Sequence, residues 1–575
     1  MPKSATTGVQ ELSSPAPMTK TKRFLKWLEV PQDADATYKT DRWTNRDLIP
    51  MPRERRTYKI WSYCVYWCIS GLCISAYTLG SSLLAYGVNC KQAMAAIAIG
   101  AILVSPLVIA CGWMGERHHI GFTVASRFTW GMYGSYFPVA LRAFTTIFWD
   151  GLQAYYGGQA MAVTLGAVFP SLWRMDQTLA GGTLLTKDLI GMLIYYVFFV
   201  AIMAIPPEKL QIPFICSSIM FVGTLAGLLA WAVSQNQVGG GAGPLFDIEA
   251  KPVHGSVGWA MMFGIAGILG SWGGGTLGQS DWTRYANRPF APIVAQTIMA
   301  PVAIFVCGTV GIIVTSCANG ILGETIWEPF VLLSAIQGHY NNSSRARAGV
   351  FFAGAGCVGA QLGISIVLNS VSAGMDLAGL WPRYLNIRRG AYIFAAMGLA
   401  VNPWQYLSNA SVFLTVISGF GIFLAPFTGV LLTEYLIVRG QRLVLEDLYK
   451  GDSSSIYWYH AGFNWRAAVS WAVGTAFHMP GYIMSLSDEG SYNGWVKLFH
   501  LNFLAGVPAT MVLHWVVNKI SPPPGLGLGT KFHDDSVPFG MQEIDGIEPE
   551  KADSTESKCP QLHVKFDHSP GSGVV

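Results

Sequence analysis

The chain has 575 residues, of which 51% are hydrophobic and only 12% charged. A soluble protein spends about a quarter of its residues on charge, so an ordinary soluble domain is excluded. The net charge of +4, from 37 basic and 33 acidic residues, says little about partners, and no nucleic-acid partner is expected.

Residues 1–58 are polar, carry Ser, Pro, Lys and Asp, and read as a cytoplasmic, disordered N-terminal tail. The first apolar run begins near Ile60, and no signal peptide precedes it. A transmembrane domain then fills 59–520. About twelve apolar stretches fall at 60–85, 92–113, 139–168, 187–205, 212–234, 257–279, 292–316, 348–373, 390–404, 411–438, 465–485 and 497–519. Stretches of about 20 residues cross about 30 Å of hydrocarbon at 1.5 Å per residue. The ninth and eleventh carry the weakest signal. Residues 521–575 read as a second polar tail. The ten cysteines sit mostly inside apolar stretches, without CxxC or metal-ligand spacing, so neither a disulfide framework nor a metal is expected.

Lys and Arg set the orientation. The N-terminal segment holds eleven of them from Lys20 to Lys59, and connectors of the same parity hold Arg117, Arg127, Arg284, Arg288, Arg383, Arg388, Arg389, Arg439 and Arg442. Opposite connectors hold fewer. Both termini are therefore expected in the cytoplasm. The overlapping glycosylation acceptors at Asn341-Asn342-Ser343-Ser344 then fall outside.

Polar residues recur where lipid is expected. In the eighth span Gln361, Ser365, Asn369, Ser372 and Asp376 share one face of a regular helix; in the third, Arg142, Thr146, Trp149 and Gln153 do the same, with Asp150 beside them. Such groups either hydrogen-bond helix to helix or line a wet cavity. Glycine adds a second signal. The sixth span reads Gly270-Ser271-Trp272-Gly273-Gly274-Gly275-Thr276-Leu277-Gly278, and Ser70-Gly71 sits in the middle of the first. Each glycine costs a helix about 1 kcal/mol relative to alanine, so both spans are candidates for interruption. Interrupted helices at matching places in two halves point to a secondary transporter's binding site, although small-residue packing gives the same pattern.

Several motifs together resemble the first nucleobase–cation symport family, in its fungal uracil–allantoin–uridine branch, from about Trp43 to Lys519. They include Trp43-Thr44-Asn45-Arg46-Asp47-Leu48-Ile49-Pro50 and Trp149-Asp150-Gly151-Leu152-Gln153. Ser280-Asp281-Trp282-Thr283-Arg284-Tyr285-Ala286 and Asn369-Ser370-Val371-Ser372-Ala373-Gly374-Met375-Asp376 are equally similar to family patterns. The resemblance implies an all-α integral membrane protein with a five-plus-five inverted-repeat (LeuT-like) core plus two extra helices. It implies a site between spans one, three, six and eight. There Trp149 and Trp272 stack on the two faces of a heterocycle, while Gln153 and Asn369 read its ring carbonyl and N–H groups. An amide offers both donor and acceptor to a lactam edge, and i,i+4 spacing presents Trp149 and Gln153 together.

Two departures bear on coupling. Sodium-coupled relatives carry two hydroxyl residues where this chain has Gly363 and Ile364, and a hard cation needs oxygen ligands. Proton coupling is therefore expected. Asp150 stands where the family more often has an aromatic. Desolvation at that depth penalises the charged form of a carboxylate, which suits a proton carrier; a salt bridge or hydrogen bond to a neighbouring span is the other reading. Asp281–Arg284 and Glu434 read as helix-end groups or gate elements, and Gly273, Gly274 and Gly275 as flexible points. The expectation is a proton-coupled plasma-membrane importer of uracil, allantoin, uridine or a similar ring, without cofactor. A vitamin-type ring (thiamine, nicotinamide riboside) and a non-transporting nutrient sensor are the alternatives. No catalytic motif such as HExxH or GxGD supports an enzyme. Tail lysines such as Lys20, Lys22 and Lys551 are candidate ubiquitin acceptors.

Overall fold

The computed structural model describes residues 19–32, 38–238, 241–487 and 492–533. The chain is helical there apart from one small sheet, in which Thr178–Leu179 pairs antiparallel with Leu184–Leu185. Among the described residues eight helices are long and apolar enough to cross a membrane. They are Ile60–Ala85, Cys90–His118, Gln211–Gln235, Val257–Leu277, Ala291–Leu322, Ser344–Leu380, Ala410–Val438 and Asn502–Ile520. The remaining expected spans are helices too: Tyr136–Val168, Thr186–Ile202, Ile387–Ala400, and Trp465–Ala476 with Met479–Leu486. This all-α arrangement is consistent with twelve crossings. Outer helices expose large apolar side chains, among them Val197, Phe198, Ile212, Ile219 and Val512. Such a surface suits hydrocarbon.

The two expected helix interruptions turned out unequal. Span one is broken, running Ile60–Gly71 and resuming at Ile74–Ala85, with Leu72 and Cys73 non-helical between. The Cys73 carbonyl, which accepts the Tyr77 backbone N–H at 3.1 Å, also accepts from the Cys307 thiol at 3.2 Å. Gly71 permits the close approach behind it, since a Cβ there would lie 2.6 Å from the Ala303 Cβ and 2.9 Å from the Ile304 nitrogen. Span six, by contrast, stays helical from Val257 through Leu277, across Gly273, Gly274 and Gly275. The expected interruption inside this glycine run does not occur; the helix pauses only at Gly278 and Gln279 before Ser280–Thr283. Packing against spans two and ten overrides the propensity cost.

Three spans contain a π-turn, at Ala295–Met299, Ser365–Ser370 and Thr433–Val438. The one in span eight contains Asn369. An extra residue in one turn rotates the residues before it relative to those after it, so the regular stripe read from sequence is split. Ser365 faces span four, 3.0 Å from the Tyr195 hydroxyl, while Asn369 and Ser372 face inward.

Parts of the expected tails are built into the fold. Trp43, Asn45, Leu48, Met51 and Tyr58 are buried, and Asn45 donates to the Pro382 carbonyl at 3.0 Å. Beyond the last span, Leu443 and Thr530 exchange backbone hydrogen bonds at 3.0 and 3.1 Å. Apolar side chains and satisfied backbone make these segments part of the domain, against the expectation of disorder from residue 1 to 58 and from 521 on. Lys20 is exposed on the helix Lys20–Leu28, whereas Lys551 lies outside the described residues. Both terminal segments reach one face of the bundle. There Val30 N–H donates to the Arg383 carbonyl and His533 N–H to the Arg117 carbonyl, each at 2.9 Å.

At Gly278 a Cβ would fall 1.6 Å from the Arg142 guanidinium. Gly278→Ala is expected to lower the unfolding temperature of the purified protein by several degrees, since overpacking costs about 1–3 kcal/mol. Gly274→Ala, whose Cβ meets open space in a continuous helix, should leave it unchanged or raise it slightly. Equal melting of both variants in a thermal-shift series would remove the steric argument.

Candidate functional site

The break in span one, the inward face of span three, the glycine run of span six and the π-turn of span eight converge on one cavity of about 50 Å³. Its wall includes Ser70, Cys73 and Ser75 from span one and Arg142, Trp149 and Gln153 from span three. Trp272, Gly274 and Gly275 come from span six, Asn369 and Ser372 from span eight, and Leu424 from span ten. All four residues implied as substrate-binding by resemblance, Trp149, Gln153, Trp272 and Asn369, line it together. Trp272 is buried, and Trp149 half-buried with its ring 5.9 Å from that of Phe420. Gly274 and Gly275 leave bare backbone on the wall facing Asn369, while Gly273 turns toward Phe503 and Leu424.

Polar groups on the wall fall into two kinds. The Gln153 amide is engaged at both ends: Nε2 donates to Ser75 Oγ at 2.7 Å, and Oε1 accepts from Gln361 Nε2 at 2.8 Å. Gln361 donates also to the Gln153 backbone carbonyl at 2.9 Å. Span one, three and eight thus share a single amide relay. Among the described residues Asn369 Nδ2, Trp272 Nε1, Ser70 Oγ and Arg142 Nη1 on this wall are buried with no hydrogen-bond partner. A buried donor left unmet costs about 1–3 kcal/mol, so these four atoms mark where a polar ligand gains most.

At one end of the cavity the Arg142 guanidinium is held by two carboxylates. Nε donates to Asp376 Oδ2 at 2.9 Å, and Nη2 donates to Asp281 Oδ2 at 2.8 Å and also to Asp376 Oδ1. The Phe122 ring lies 4.2 Å from the guanidinium carbon, and Asp281 Oδ1 accepts the Phe122 backbone N–H at 2.8 Å. This node ties spans three, six and eight to the short helix Phe122–Trp130. Sequence reasoning placed Arg142 and Asp376 on their stripes without joining them. Opposite charges on two inward stripes were the available signal. Asp281 and Arg284 do not pair through their side chains: Arg284 Nε donates to the Asp281 backbone carbonyl, and Nη1 to the Asp47 carbonyl.

Asp150 turns away from the cavity. Its carboxyl is fully buried between span three, the π-turn of span eight and Gly398 of span nine. Oδ1 accepts from Ser370 Oγ at 3.4 Å, and Oδ2 has no hydrogen-bond partner among the described residues. Of the two structural readings the hydrogen bond is present, and no salt bridge to Asp150 occurs among the described residues. Glu434 is a buried cluster member of a different kind. It accepts from Arg439 Nε at 2.9 Å and lies 3.2 Å from His514 Nε2, whose other ring nitrogen is 3.0 Å from Ser470 Oγ.

Comparison with known proteins gives the family and the fold. The family profile described as "Permease for cytosine/purines, uracil, thiamine, allantoin" matches residues 50–517. The transporter aclS of Aspergillus oryzae is 31% identical over 84% of this chain and 88% of its own length. The uracil permease of Saccharomyces cerevisiae is 27% identical over 89% of this chain and 81% of its own. Mhp1, a nucleobase-cation-symport-1 family transporter solved in a closed conformation with bromovinylhydantoin bound, superposes with a TM-score of 0.66. It is 20% identical and covers 84% of this chain and 97% of that one. The helical membrane fold, the broken first span and a profile that spans most of the chain lead to one conclusion: this protein belongs to the permease family for cytosine/purines, uracil, thiamine and allantoin, and is a multi-pass membrane transporter rather than an enzyme.

Proposed function

We propose that the chain is a proton-coupled importer of a flat, lactam-bearing ring of the uracil, allantoin or uridine type. The observation that carries this reading is the set of unmet donors, Asn369 Nδ2 and Trp272 Nε1, on a cavity that two indoles also line. A ring carbonyl meets those donors, and the indole faces cover the ring planes. Gln153 is held ready by Ser75 and Gln361, and exchanges one of these bonds for the substrate edge. The Arg142–Asp281–Asp376 node bars the route toward the face that carries the terminal segments. Rocking of the helices against one another parts the node and releases the ring on that side. The excess of Lys and Arg there argues that this face is cytoplasmic, in the plasma membrane.

Coupling to protons rather than sodium is supported by two features. Gly363 and Ile364 offer no side-chain oxygen, and a Cβ on Gly363 would stand 2.4 Å from Ser217 Oγ, so a hydroxyl residue has no room there. Asp150, adjacent in sequence to Trp149, forms no ion pair among the described residues. Gly274 and Gly275, with open or nearly open space where a Cβ would lie, supply the freedom for span six to bend. Exposed Lys20 is a candidate ubiquitin acceptor for turnover.

Asn369→Ala and Gln153→Ala are each expected to abolish uptake of the radiolabelled substrate while the protein still reaches the cell surface. Normal substrate affinity in both would refute the site. Uptake should acidify the cytosol and persist when choline replaces Na⁺; collapse in choline would instead establish sodium coupling. Asp150→Asn should leave equilibrium binding within about twofold yet remove accumulation against a gradient. Gradient-driven accumulation surviving in that variant would clear Asp150 of any coupling role. The family description also names thiamine, so a vitamin-type ring is the second reading. A panel of unlabelled purines, pyrimidines, hydantoins, nucleosides and thiamine competing against one labelled ring separates the two, and binding without accumulation would mark a sensor.

A further inference from the structure

On the face that carries both terminal segments lies a second concavity, of about 520 Å³, apart from the cavity between the spans. Four arginines line it: Arg53 and Arg56 ahead of span one, Arg117 at the end of span two, and Arg288 in the connector after span six. One carboxylate, Glu116, stands among them, and its Oε1 is already engaged by the backbone N–H of Phe290 at 2.7 Å. His119 and His533 close the wall, their rings 6.2 Å apart.

A solvated basic rim is the ordinary reading of such a cluster, and Arg117 is what departs from it. Its guanidinium lies over three aromatic rings, 4.2 Å from that of Trp113, 4.7 Å from Phe532 and 5.0 Å from Phe290. Aromatic faces hold an arginine without using its N–H edge, which stays available to an acceptor. Its Nε is buried and has no hydrogen-bond partner among the described residues. His119 of the wall takes left-handed backbone at φ 54° as the C-cap of span two, and Phe290, next to the wall's Pro289, takes it at φ 63°. Residues with side chains seldom take that conformation, and a bulky one less than most. The backbone here is bent to keep Phe290 against both Arg117 and Glu116.

Guanidinium forks match phosphate oxygens, and basic pockets at the ends of membrane helices take phosphorylated head groups. We propose that this concavity binds a phosphate-bearing ligand, supplied either as the head group of a membrane lipid or as a soluble organic phosphate. The bound phosphates draw together the segment before span one, the end of span two, the connector after span six and the segment after span twelve. Occupancy therefore adjusts how those segments move during transport.

The test reads binding rather than uptake, so its outcome is independent of the substrate assignment. Full-length protein in phosphatidylcholine nanodiscs is titrated with dioctanoyl phosphatidylinositol 4,5-bisphosphate, with inositol 1,4,5-trisphosphate and with inorganic phosphate, using microscale thermophoresis. At least one probe is expected to bind, with affinity falling as salt rises and at least about fivefold weaker in Arg117→Gln and Arg288→Gln. Preference for the lipid over its free head group identifies a membrane ligand, and equal binding of the two identifies a soluble one. Arg288 is exposed, so Arg288→Gln decides the matter even if Arg117→Gln fails to fold. No binding of any probe, or affinity kept within about twofold in Arg288→Gln, overturns the proposal.

Discussion

A guanidinium inside a membrane protein has to be neutralised where it stands, and the pairing of Arg142 organises much of this molecule. Breaking a buried pair by removing one partner costs about 3–5 kcal/mol, because the survivor is left as an uncompensated charge. Arg142 meets that demand with one carboxylate from the end of span six and one from span eight. Three helices distant in sequence are thereby held at one point, and the Phe122 N–H locks the following short helix to the same Asp281. Even the lack of a side chain at Gly278 has its cause here, since the guanidinium occupies the space a Cβ would need.

Above that node the helices are arranged to leave polar atoms unmet. Span one gives up helical hydrogen bonds at Leu72 and Cys73, span eight inserts a π-turn at Asn369, and span six keeps its helix but strips it of side chains at Gly274 and Gly275. Each device exposes backbone or an amide edge that an unbroken, leucine-faced helix would cover. In the Ser75–Gln153–Gln361 relay, by contrast, both ends of the Gln153 amide are met by the protein itself. A wall that mixes saturated and unsaturated polar groups discriminates well, because the saturated ones hold geometry and the unsaturated ones reward the correct ligand.

The same contrast separates the two buried acids outside the cavity. Glu434 is bracketed by Arg439 and His514 and knits span ten to span twelve, so it is a structural charge. Asp150 has only a long hydrogen bond from Ser370.

Periodicity and composition determined the membrane class and the positions of nearly all the helices, while the four residues that meet at the cavity were implied by the family resemblance of the motifs. Hydropathy acts over one span at a time, so it is written locally, and the motif-bearing side chains sit at fixed helical phase. Three things were decided only by tertiary packing. The glycine run of span six reads as a break and is a helix, because neighbouring spans supply what propensity lacks. The π-turn at Ser365–Ser370 sends Ser365 to Tyr195 and leaves Asn369 inward, a change of phase that no regular periodicity announces. The joining of Arg142 with Asp281 and Asp376 spans 139 and 234 residues of chain, and charge partners at such separations are chosen by the fold, through the desolvation that makes any unpaired arrangement untenable.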